Sequence, residues 1–75
     1  MEWKTYLVLY FSGKETLSKA VERIEKLGFK STFGPVDFVY EWKNEPTKED
    51  LFELGDRLSV ELKDSGVFFN LDTHN

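Results

Sequence analysis

Seventy-five residues with 14 acidic and 10 basic side chains, a net charge of −4, fit a single small domain (1–75) with an acidic surface. That balance argues against general nucleic-acid binding, which relies on a cationic surface to neutralise phosphates. The lack of cysteine excludes disulfides and thiolate metal sites, and the single histidine argues against a structural zinc site. A chain this short buries only roughly 60 % of its unfolded surface. Its core must therefore draw on helix packing, on its 16 % aromatic residues or on self-association. Met1-Glu2-Trp3-Lys4 is not a basic region followed by an apolar run, and no apolar run approaches the ~20 residues of a membrane helix. The expectation is a soluble cytoplasmic protein with neither membrane nor nucleic acid as partner. Charge is split along the chain: residues 1–36 hold six bases and four acids, residues 37–75 four bases and ten acids.

The first predicted element is a strand over 3–11, built around Thr5-Tyr6-Leu7-Val8-Leu9-Tyr10-Phe11, the longest run free of charge, Gly and Pro. Alternation gives it one face with Trp3, Thr5, Leu7, Leu9 and Phe11, and another with Lys4, Tyr6, Val8 and Tyr10. Ser12 followed by Glu15 predicts a capping box. The helix after it places Leu17, Ala20, Val21, Ile24 and Leu27 on one apolar stripe. Gly28 ends that helix in the left-handed region.

Phe29 to Phe33 predicts a short strand, Gly34-Pro35 a turn, and Val36 to Lys43 a second strong strand. Together they predict a hairpin. Burying Val36, Phe38, Tyr40 and Trp42 keeps Asp37 and Glu41 in water. Thr47 caps a second helix, with Glu49 and Asp50 where the dipole favours anions. Its stripe is Leu51, Leu54, Leu58 and Leu62, with Phe52 at the edge and Val60 on the far side. A mid-helix glycine costs about 1 kcal/mol against alanine, so Gly55 implies a close neighbour such as Ala20. Gly66 closes the helix. Val67 to Asp72 is the last strand, and Thr73-His74-Asn75 reads as a frayed polar tail.

The order β-α-β-β-α-β resembles the ferredoxin-like fold over the whole chain, by architecture and not by a diagnostic motif. The resemblance implies an α+β two-layer sandwich: a four-stranded antiparallel sheet in order 4-1-3-2 with both helices on one face. Leu7, Leu9 and Phe11 then face the helices, as do Phe69 and Leu71. The open face carries Tyr6, Val8, Tyr10, Val39 and Phe68, fringed by charged side chains. An aromatic-apolar patch of this kind is either an interaction site or a solvated sheet face obeying strand propensity.

Other constellations are weaker. Gly13-Lys14 lacks the upstream glycine of a phosphate loop, and Glu15 stands where Ser or Thr belongs. RNA-recognition domains share the architecture, and Tyr6 matches a stacking position, but Asp37 interrupts the second motif. Acylphosphatases resemble the chain in topology alone, since Arg23 lies mid-helix. Asp72 and His74 are two candidate metal ligands near a chain end. The acids Glu45, Glu49, Asp50, Glu53 and Asp56 at the second helix suit its dipole without further purpose. The expectation is a non-catalytic protein-interaction module without a cofactor, self-associating as a homodimer through the open sheet face or an edge. The alternative is a small-ligand regulatory domain binding at Ser12, Gly13 and Lys14 or between subunits.

Overall fold

The computed structural model describes residues 2–11, 17–63 and 65–75. The capping box expected at Ser12 and Glu15 lies outside them. The elements are β1 (Trp3–Phe11), α1 (Leu17–Lys26), β2 (Lys30–Ser31), β3 (Phe38–Trp42), α2 (Lys48–Glu61) and β4 (Val67–His74). All strand pairs are antiparallel, in the order β2-β3-β1-β4. This is the expected order read from the opposite edge, and the arrangement is the ferredoxin-like split β-α-β. Among the described residues no helix is long and apolar enough to cross a membrane.

The alternation of β1 decides which side of the sheet is dry. Leu7 and Leu9 pack with Phe38 of β3 and Val67 of β4 against Ala20 and Ile24 of α1 and Leu54 and Leu58 of α2. Leu7, Ile24 and Leu58 are inaccessible to solvent. Thr5 shares this face and is also buried, so its hydroxyl needs partners. It accepts a 2.8 Å hydrogen bond from the Trp42 indole and shares a 2.7 Å hydrogen bond with the Thr73 hydroxyl. These side chains tie β1, β3 and β4 together at one end of the sheet.

The helix ends are closed by local chemistry. Thr47 accepts from the Asp50 amide at 3.1 Å, and the Asp50 carboxylate accepts from the Thr47 amide at 2.9 Å. This reciprocal box satisfies two of the donors that every helix start leaves free. Arg23 of α1 donates to the Glu61 carbonyl at 3.2 Å, placing a cation at the negative end of α2. Gly28 has φ +106°, and a β-carbon there would stand 3.1 Å from the Tyr40 ring. The turn thus needs glycine both for its backbone and for the aromatic packed on it.

Five expectations are corrected. β3 starts at Phe38, not Val36, because Asp37 bonds sideways to β1: its amide donates to the Leu7 carbonyl at 2.9 Å and its carboxylate accepts from the Leu9 amide at 2.8 Å. With a side chain standing in for the backbone acceptor, the chain turns off the sheet and Val36 leaves the core face. β2 spans only Lys30–Ser31, not Phe29 to Phe33, and Phe33 is fully exposed. β4 runs on to His74, because Thr73 and His74 pair with Thr5 and Lys4 and are not frayed. Phe11, at the end of β1, is 42 % exposed and not core. Gly55 has Leu71 of β4 as its near neighbour, not Ala20. A β-carbon there would make an ordinary 3.9 Å contact, so sheet packing does not demand glycine at this site.

Candidate interaction surface

The register between β1 and β4 builds the open face. Lys4, Tyr6, Val8 and Tyr10 stand opposite His74, Asp72, Asn70 and Phe68. Directly opposed residues share a face, so all eight side chains lie on the side away from the helices. Val39 joins them from β3, opposite Tyr6. The five residues expected on this face are therefore brought together. Tyr10 and Phe68, opposite each other, are 52 % and 69 % exposed, while Tyr6, Val8 and Val39 are half-buried.

The half-burial of Tyr6 has a specific cause. Its ring stacks on His74 with centroids 4.6 Å apart and planes 22° from parallel. The His74 Nε2 lies 3.7 Å from an Asp72 carboxylate oxygen. Among the described residues no third acidic or histidine side chain joins them as a set of metal ligands. Val36 and the β2–β3 turn form the other wall of a groove of about 540 Å³ that runs past Tyr6, Val8 and His74. The sequence reading missed His74 and Val36 as members of this face. Parity along β4 would have revealed His74 had the strand been carried two residues further.

The rim is charged and mostly paired. Lys30 meets Glu41 at 3.0 Å across the β2–β3 edge. This hydrogen bond, with the lysine's charge, holds the Glu41 carboxyl below its ordinary value. A lowered carboxylate favours the fold above its unfolded pKa, and that contribution is lost as pH falls through the lowered value. Lys4 lies 3.8 Å from Glu2. At α2 the acidic cluster is spoken for in part, with Asp50 in the capping box and Glu53 held by Arg57 at 2.5 Å. Ser12, Gly13 and Lys14, the expected ligand loop, lie outside the described residues.

No family model matches the chain, and no curated protein matches it. Its fold does have solved counterparts. A domain of unknown function, DUF77, from Bacillus cereus is similar with a TM-score of 0.58 at 12 % identity, over 100 % of this chain and 76 % of that one. A hypothetical protein from Methanocaldococcus jannascii is similar with a TM-score of 0.54 at 18 % identity, over 99 % of this chain and 79 % of that one. At such identities the likeness is one of fold alone.

Proposed function

We propose that this chain is a non-catalytic interaction module whose partner is a second copy of itself, with the Tyr10–Phe68 side of the open sheet face taken from water on association. The observation that supports this most directly is the pair itself: two aromatic side chains opposite each other on adjacent strands, both more than half exposed. Val8 and Val39 extend the apolar surface toward the middle of the sheet. A domain of this size gains from covering such a surface, because association stabilises the folded state by mass action. The ligand-binding alternative at Ser12, Gly13 and Lys14 lies outside the described residues.

The test is a pair of substitutions read by light scattering. Phe68→Lys, at an exposed edge position, is expected to shift the population toward single chains while leaving the circular dichroism spectrum unchanged. Val8→Lys is expected to do the same with some loss of stability, since Val8 is half-buried. Unchanged size for both variants would overturn the reading.

A further inference from the structure

The two edges of the sheet are unequal. β2 is two residues long, carries Lys30 and runs into Gly34-Pro35, features that discourage a further strand from adding there. β4 is eight residues long and pairs one-to-one with β1 from Val67 to His74 without a bulge. It has no proline and no lysine, and Asp72 is its one acidic residue. Among the described residues none of the usual devices guards this edge.

The direction of its backbone groups follows from β1. The Leu7 carbonyl and the Leu9 amide are both engaged by Asp37, on the β3 side. Backbone groups alternate in direction along a strand, so those of Lys4, Tyr6, Val8 and Tyr10 point to β4. Their partners His74, Asp72, Asn70 and Phe68 point back. Val67, Phe69, Leu71 and Thr73 therefore aim their amides and carbonyls away from the sheet. The Val67 amide is taken by the Ser65 hydroxyl at 3.1 Å. Among the described residues, Phe69, Leu71 and Thr73 are left with outward donors, and all four residues with outward acceptors.

We infer that this edge pairs with β4 of a second copy, antiparallel about a two-fold axis, making one continuous eight-stranded sheet. The inference rests on the self-association proposed above and names its geometry. Placing both helix layers on the same side requires residues of like face to stand opposite each other, and the outward hydrogen-bonding positions must also coincide. Centring the axis on Asn70 meets both conditions and uses the strand from Val67 to Thr73. Phe69 then faces the partner's Leu71 and Val67 faces the partner's Thr73, with three amides donated by each copy. Phe69 and Leu71 already pack against the core, so the two cores meet through them.

On the open face Asn70 opposes the partner's Asn70. Phe68 opposes the partner's Asp72, with the partner's His74 at the diagonal position that an aromatic side chain reaches. Phe68 is thereby covered, and no two carboxylates face each other although each chain carries a net charge of −4. A strand from another protein would have to match this donor spacing and this side-chain pairing, whereas a second copy does so by symmetry.

Amide hydrogen exchange on the unmodified protein tests the pairing. The amides of Phe69, Leu71 and Thr73 are expected to exchange at least about tenfold more slowly in a concentrated, associated sample than in a dilute one. Those of Asn70 and Asp72, bonded to β1, serve as the internal reference. A cross-link gives a second reading in a chain that has no cysteine. With the axis at residue 70, the two Asn70→Cys positions would lie roughly 4.5 Å apart, within disulfide reach. Two Phe68→Cys positions would be offset by four residues, roughly 13 Å. Rapid dimer formation by Asn70→Cys and not by Phe68→Cys supports the edge. If the sample has the mass of a dimer but those three amides exchange freely and Asn70→Cys does not cross-link, the edge pairing is wrong and association through the open face stands. If the mass stays that of one chain at millimolar concentration, both are wrong.

Discussion

Replacing Leu58 by alanine is expected to destabilise the protein by about 2–5 kcal/mol, the range for removing a buried leucine side chain from a packed core. Leu58 is completely buried, in one cluster with Leu7 of the central strand and Ile24 of the other helix. The cavity would open where both layers meet, and the neighbouring side chains are already at their packing positions. Domains of this length have a total stability of roughly 4–11 kcal/mol. The substitution is therefore expected to remove a large fraction of it, and in a urea titration the midpoint falls with little change in slope. Val60→Ala on the same helix, at a site 73 % exposed, is the matched control and is expected to change the midpoint little.

The second large effect is expected at Asp37. Its carboxylate accepts from the Leu9 amide while its own amide donates to the Leu7 carbonyl. It thus continues the β1–β3 ladder beyond the last backbone pair, Leu7 with Phe38. Asp37→Ala leaves the part-buried Leu9 amide without its acceptor, a loss of about 1–3 kcal/mol. Asp37→Asn keeps an acceptor oxygen but not the charge, and is expected to recover most of that loss. Thermal melts of the two variants compare them directly. Equal melting temperatures for Asp37→Ala and the unmodified protein would show that the side chain does not close the ladder. Local disorder is expected first in the Val36 wall of the groove, which Asp37 tethers to β1.

Much of this fold is legible in the residues. The period of two in β1 separates Leu7 and Leu9 from Tyr6, Val8 and Tyr10, and the structure keeps that separation. The periods in α1 and α2 predict the buried Ala20, Ile24, Leu54, Leu58 and Leu62. Because strand parity places Val39 and Phe68, the open face is legible too. What was hidden depends on contacts between distant residues. Asp37 reads as a solvated acid because nothing local shows that it meets the Leu9 amide, 28 positions away. Val36 is misplaced as a consequence. Thr73 and His74 read as a tail because polar residues near an end carry no apolar alternation, yet Thr73 finds Thr5, and His74 finds Tyr6. Phe11 shows the converse: its parity is that of the core, but being apolar did not bring it burial. In α2, the sequence shows Asp50 only as a charge suited to the helix dipole, while its carboxylate accepts from the Thr47 amide and completes the capping box.

The open face and the β4 edge converge on Phe68, which lies on both. An aromatic residue 69 % exposed on a strand whose outer edge has no neighbour in the sheet among the described residues joins an apolar surface to the outward amides of Phe69, Leu71 and Thr73. The arrival of a second β4 would cover Phe68 and take up those amides together.

Sedimentation velocity over a concentration series tests this account most directly. One chain weighs 8.8 kDa. The expected result is a concentration-dependent shift toward twice that mass, reversed by Phe68→Lys. A species that stays at the mass of one chain up to millimolar concentration would contradict it.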